Sequence, residues 1–252
     1  MMIEDYVAID LEMTGLNAKR DSILEIGAVR VKQKKVVDTY QAMIHPHMEL
    51  PEEVTRLTGI TNDMAGKGRE LDDVFPEIAD FCGDFLLLGH NVGFDYGFLK
   101  QAAINRNMMF EHQGIDTLKI ARKLLAPEDK KTLQLLCDRY QIHRVHRHRA
   151  LDDALAAKEL YEIFEKEYEM QRPEVFVPYP LIYKAKKQSP ATGRQKNHLR
   201  QLADYHNIVL NISWETLTKN EASRQIDRLI AKYGRMPKPD HLSADLKSEK
   251  HT

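Results

Sequence analysis

The 252-residue chain reads as an α/β layered domain followed by a small helical module. Three observations predict this. Three strand-like stretches open the chain before any helical period sets in. One short apolar run, "FLLLGHN", follows the first helices, as expected of a buried strand whose end opens on a site. The last third then passes from an amphipathic Ala/Leu/Glu helix, through a proline-bearing stretch, to two short helices.

"DYVAIDLEM" alternates apolar and polar residues and predicts a strand. "SILEIGAVRVKQKKVVDTYQAMIHP" predicts two more, joined by the polar turn "KQKK". Three strands in quick succession imply an antiparallel meander. After Pro51 the pattern turns helical, first in "PEEVTRLTG" and then in "ELDDVFPEIADFCG", where Leu71, Val74, Ile78 and Phe81 fall at helical spacing. "GFDYGFLKQAAINRN", "DTLKIARKLL", "TLQLLCDRYQ" and "ALDDALAAKELYEIFEKEYEM" continue as helices. The body is therefore expected over residues 1–170. Residues 171–193, with four prolines and a KAKK run, read as a basic linker. Residues 194–234 give two helices, the second opening with Thr218 and Glu221 in capping-box spacing and stopping at Gly234. The tail, 235–252, reads as disordered.

Composition bounds the function. A hydrophobic content of 42% with 8% aromatic residues is ordinary for a packed core. The longest apolar runs are far too short to span a bilayer, and the acidic N-terminus shows no signal peptide. Cys82 and Cys137 lie in helical patterns without metal-ligand spacing, so they are expected to be buried thiols in a reducing compartment, the cytoplasm. Net charge is −1, but residues 1–170 hold 22 Lys+Arg against 30 Asp+Glu, whereas residues 171–252 hold 15 against 8. An acidic body with a basic tail suits a polyanionic partner bound through the tail, although such tails also serve solubility alone.

The acids of the body are placed where strands and helices can aim them. In "AIDLEMTG", Asp10 and Glu12 sit two apart on a strand, so both carboxylates leave one face. Among apolar neighbours they need a counter-charge, and a divalent ion with a taste for oxygen ligands, Mg2+ or Mn2+, is a natural one. A solvated edge-strand face is the plainer alternative. "GHNVGFD" runs a strand end into a helix start and delivers Asp95, a position that capping alone also explains. Asp153 lies one turn into a helix; Asp152 beside it and Asp116 read as helix N-terminal residues. Four carboxylates are too much negative charge for one magnesium ion, but two ions about 4 Å apart can share them, the arrangement that serves phosphoryl transfer to water. "HRVHRHRALDDA" adds three histidines and three arginines. Read alone it fits a metal cluster, a basic nucleic-acid patch or one catalytic histidine among bystanders, though the 143, 146, 148 spacing matches no common structural zinc pattern.

"DLEMTG", "HNVGFD" and "HRALDDA", in that order over some 145 residues, resemble the three exonuclease motifs of the DEDDh (DnaQ-like) family. That family includes the proofreading epsilon subunit of bacterial DNA polymerase III, ribonuclease T and oligoribonuclease. "LPEEVTRLTGITNDM" resembles the segment that epsilon-like members place between their first two motifs, and the likeness spans about residues 5–167. It implies a ribonuclease-H-like exonuclease fold, a mixed central sheet flanked by helices. It also implies removal of nucleotides from 3′ ends with two metal ions, held by Asp10, Glu12, Asp95 and Asp153. In the family's third motif the catalytic histidine stands five residues before the last aspartate, and only His148 has that relation, to Asp153. A histidine, ordinarily titrating near ~6.5, suits proton removal from the attacking water.

By the same resemblance Met13, Thr14 and Leu16 are candidates for meeting the terminal nucleotide, with Met13 in a slot where the family usually has threonine. Leu57 and Ile60 are candidates for packing on the last base, or core residues. His90 and Asn91 support the second motif. Arg147 and Arg149, and on the C-terminal helices Lys196 and Arg200, are candidate phosphate contacts, with Trp214 able to stack on a base. The expected substrate is a single-stranded 3′ end, DNA by the epsilon-like segment or RNA by the same chemistry, with a polymerase or repair complex as a partner. A non-catalytic scaffold would predict a broken ligand set, and a purely polynucleotide-binding regulator would predict binding in EDTA without turnover. Oligomeric state has no signature in the sequence.

Overall fold

The computed structural model describes residues 3–236 except positions 147, 185, 211 and 213. Six strands form one mixed sheet. They are β1 (Tyr6–Met13), β2 (Ile23–Lys32), β3 (Lys35–Met43), β4 (Leu86–Gly89), β5 (Gln113–Asp116) and β6 (Tyr179–Pro180), in the order β3-β2-β1-β4-β5-β6. The first three make the expected antiparallel meander, while β1–β4 and β4–β5 are parallel. Gln33 and Lys34 both take left-handed backbone between β2 and β3, as a two-residue hairpin turn with right-handed strand twist demands.

The period of two in β1 explains its central place. Val7, Ile9 and Leu11 enter one core with α3 (Leu71–Cys82) and α4 (Val92–Asn105). Tyr6 and Ala8 enter the other with α5 (Thr117–Leu124), α6 (Leu133–Tyr140) and α7 (Ala150–Tyr168). Helices thus cover both faces, as parallel strands require. Two short helices, α1 (Glu52–Thr58) and α2 (Asn62–Gly66), bridge β3 to α3. Cys82 and Cys137 are free, buried thiols. Burial pushes their thiols up to about 12 and about 11, which leaves them unreactive.

The first compact unit extends to Gln188. Most of the stretch expected to be a linker therefore lies inside it. Val175 and Phe176 are buried in one core, Leu181 in the other, and β6 pairs with β5. The prolines punctuate an edge strand, where a missing amide donor costs nothing. The second unit begins at Ser189 and is a helical hairpin of α8 (Gly193–Tyr205) and α9 (Lys219–Tyr233). Each helix opens with a complete capping box, Thr192/Gln195 and Thr218/Glu221, over a core of Leu199, Leu202, Leu217, Ala222 and Leu229. Most of the expected tail lies outside the described residues. Among the described residues no helix is long and apolar enough to cross a membrane.

Candidate active site

The site lies where β1 and β4 part. Their pairing ends at Ala8↔Leu88, so beyond it the β1 edge turns to side chains for partners. Asp95, in the first turn of α4, accepts a hydrogen bond from the Leu11 amide at 3.1 Å. The ends of adjacent parallel strands are where open α/β sheets place their ligands. Asp10 and Glu12 leave β1 on the face covered by α7, and Asp153, one turn into α7, meets them there. Glycine makes this approach possible. A Cβ on Gly27 of β2 would lie 2.1 Å from the Leu151 amide nitrogen, so only a residue without one lets the start of α7 rest on the sheet.

Ligand atoms of Glu12, His148 and Asp153 lie within 4.8 Å of one another. Asp10 belongs to the same electrostatic cluster. Its carboxyl sits among dense protein although the residue keeps some solvent access, and burial, then Asp95, Asp153 and Glu12, push it well above the ordinary carboxylate range. Burial and then Asp153 raise Glu12 to about 8, and burial chiefly raises Asp95 to about 7. This is a set of acids short of positive charge, and hard oxygen donors of this kind fit divalent cations. His148, half-buried just before α7, takes left-handed backbone at φ 56°, which costs a residue with a side chain about 1 kcal/mol. Such strain concentrates at functional positions.

Arg144, whose place in a basic run made it a possible phosphate contact, has a nearly buried side chain. Its guanidinium donates to Asp153 Oδ1 at 2.5 Å and also to Gln134. Glu25, opposite Glu12 in the β1–β2 register, was missed altogether. It is fully buried and receives Arg149 Nη2 at 2.7 Å, Gln41 Nε2 at 2.8 Å and the Ala150 amide at 3.2 Å. Arg149 is thereby a clamp on the start of α7. An acid alternating with apolar residues in "LEIG" was the signal available. His143 and His146 are exposed, the latter bonded to Asp152 through its amide at 3.0 Å.

The remaining predicted residues divide. Met13 ends β1 at a register shift, and Thr14 is fixed by its hydroxyl accepting from the Ser22 amide at 2.9 Å. Leu16 and Leu57 are exposed. Ile60 is fully buried with Leu24, Leu50 and Ala65, so its side chain serves that cluster and not a base. His90 is held by Thr117 and the Lys131 carbonyl, each at 2.9 Å, and Asn91 gives its amide to Asp116, the cap of α5. Both are thereby tied to the start of α5. Arg147 lies outside the described residues. In the second unit Lys196 donates to the Trp214 carbonyl, and the Arg200 guanidinium stacks on the Trp214 ring at 4.5 Å. Both cations thus hold the module's own tryptophan.

Comparison with known proteins fits this geometry. The family described as Exonuclease (RNase_T) matches residues 7–161. The chain belongs to the exonuclease family. DNA polymerase III PolC-type of Clostridium perfringens is 35% identical over 157 residues, covering 62% of this chain. The PolC-type protein of Latilactobacillus sakei is 40% identical over 166 residues, covering 65%. The exonuclease spans only about 11% of the length of these relatives. Among solved structures, exonuclease X in complex with 5′ overhanging duplex DNA superimposes with a TM-score of 0.52 at 24% identity, over 65% of this chain and 92% of that one. Escherichia coli exonuclease I in complex with a dT13 oligonucleotide gives 0.58 at 18%, over 69% and 42%. The Mg2+- and Mn2+-bound form of S. pombe Pop2p gives 0.54 at 18%, over 65% and 83%. These likenesses establish the mixed-sheet, ribonuclease-H-like fold.

Proposed function

We propose that the protein is a metal-dependent 3′–5′ exonuclease that removes nucleoside 5′-monophosphates from single-stranded DNA. The observation that carries this reading is the meeting of Glu12, His148 and Asp153 within 4.8 Å, beside Asp10 and Asp95, from three distant segments. Asp10, Glu12, Asp95 and Asp153 would hold two Mg2+ or Mn2+ ions, which would supply the positive charge that the buried Asp10, Glu12 and Asp95 lack. Bound there, such ions supply Lewis-acid stabilisation of the attacking and leaving oxygens. His148 takes a proton from the attacking water as its oxygen bonds to phosphorus. The bond from phosphorus to the 3′ oxygen of the preceding nucleotide breaks, and that oxygen ends protonated. Arg144, already on Asp153, is placed to balance charge as the phosphate enters. The exposed Leu16 and Leu57 would flank the terminal base. The PolC-type relatives favour DNA and a replication or repair setting.

The test is cleavage of 5′-labelled single-stranded DNA and RNA of one sequence at pH 8 with Mg2+ or Mn2+. Wild type is expected to give a 3′-shortening ladder on DNA that Asp10→Ala and His148→Ala abolish. A ladder mainly on RNA moves the substrate and keeps the chemistry. No ladder on either, with binding retained in EDTA, overturns the enzymatic reading.

A further inference from the structure

A second group of metal-ligating side chains stands past the end of the edge strand β3 and shares no residue with the carboxylate site. His45, His47 and Glu70 each present a ligand atom, and the three atoms lie within 4.8 Å of one another. The two imidazole rings are 4.4 Å apart, centre to centre, and His47 Nε2 is 2.7 Å from Glu70 Oε2.

The backbone holds this group together from both sides. Ile44 and Arg69 form a parallel bridge, the His45 amide donates to the Arg69 carbonyl at 2.9 Å, and the Arg69 amide donates to the Met43 carbonyl at 2.9 Å. Glu70 is therefore tethered one residue from a strand-like contact with His45. Gly68 permits the approach, since a Cβ there would lie 2.5 Å from the Ile44 carbonyl carbon and 2.6 Å from the His45 nitrogen. Pro46, buried between the histidines, fixes their link. His47 takes left-handed backbone at φ 51°, at a cost of about 1 kcal/mol, and its amide turns back to donate to His45 Nδ1 at 3.0 Å. An ion pair alone needs neither that strain nor the second imidazole.

We propose that His45, His47 and Glu70 form a second metal site, selective for a zinc-class divalent ion over magnesium. Two imidazoles and one carboxylate are a common zinc ligand set that leaves a fourth position for water, and imidazole favours zinc over the hard alkaline-earth ions. The proton shared by His47 Nε2 and Glu70 stands where the cation goes, so binding releases it. One ring nitrogen of His45 completes the set. With bonds of about 2.0–2.2 Å the ion spreads the 2.7 Å pair by well under 1 Å. It staples the end of β3 to the start of α3, closing off the segment between them that carries Leu57. This site does not depend on the nuclease reading.

The experiment is retention of Zn2+ by the full chain in excess Mg2+, which fills the carboxylate site, together with the visible spectrum of the Co2+ form. Wild type is expected to keep one equivalent of zinc and to give the intense cobalt bands of a four-coordinate, nitrogen-bearing site. His45→Gln and His47→Gln are expected to weaken zinc by more than about tenfold and to lose the bands. Asp10→Asn is expected to keep both. Melting of His45→Gln in EDTA at the wild-type temperature shows that variant to be folded. Glu70→Gln, on an exposed side chain, supplies a second variant. No retained zinc in wild type, equal retention by the histidine variants, or loss in Asp10→Asn instead overturns the proposal.

Discussion

Glu12 and Glu25 face each other across β1 and β2, are both buried and are chemically identical, yet their carboxyls are driven in opposite directions. Burial and the neighbouring acids lift Glu12 to about 8. Burial acts on Glu25 too, but hydrogen bonds from Arg149, Gln41 and the Ala150 amide outweigh it and hold Glu25 below its ordinary value. Burial alone therefore does not decide the charge of a carboxylate; its partners do. One acid has been given its counter-charge by the fold and anchors α7. The other has been left short of one and is available to a ligand.

The largest expected effect tests the unsatisfied side. His148→Gln should lower the cleavage rate by about 10²–10⁴-fold, the usual worth of a general base, with Mg2+ affinity nearly unchanged by calorimetry. A loss below tenfold would take His148 out of the proton transfer.

Next comes the satisfied side. Arg149→Ala strands the Glu25 charge beneath α7 and should cost about 3 kcal/mol in urea unfolding, whereas Glu25→Gln with Arg149→Met should recover part of it. Equal losses in the single and double variants would show the clamp to be packing rather than charge.

A smaller effect inverts the sign. Glu12 and Asp95 have folded pKa values of about 8 and about 7, above their unfolded values, so between roughly pH 4 and pH 8 the folded, metal-free state holds the extra protons. Their contribution to stability is full below the unfolded pKa and is lost as pH rises through the folded one. Melting in EDTA should therefore show Glu12→Gln more stable than wild type at pH 8, by about 1 kcal/mol, with the gain gone at pH 4. Saturating Mg2+ should stabilise wild type and not the variant.

The smallest effect, at Leu57, is set against its neighbour Ile60 on one segment. Ile60→Ala should cost about 2–4 kcal/mol, since its side chain is wholly enclosed. Leu57→Ala should change stability by under about 0.5 kcal/mol and raise KM for the oligonucleotide.

Much of the fold is legible in the amino-acid sequence. The β1–β2–β3 meander and α7 carry clear periods, β4 stands out as an apolar run, and the Thr218/Glu221 capping box is a local code read locally. The elements that escaped are short: α2 has five residues, β5 four and β6 two, too few for a period to register. Asp10 and Glu12 stand out as acids on one strand face and Asp95 and Asp153 as acids at helix starts, whereas His148 is singled out only through the resemblance to the family's third motif. The Glu25–Arg149 clamp was not, because its partners stand 124 residues apart and the arginine hides in a run of similar residues. Leu57 and Ile60 show the same limit on a smaller scale. Both are apolar, and only the fold turns one outward.

Gly27 has a consequence for how such a protein can change over time. Because α7 rests on β2 through main-chain atoms, the height of Asp153 above the sheet is gauged by the backbone and not by the size of any side chain between them. Substitutions farther along α7, around Leu160 or Phe164, can loosen or tighten the core without shifting that gauge. Robustness and catalytic alignment can then drift independently along one helix, with position 27 as the place where neither can tolerate a methyl group.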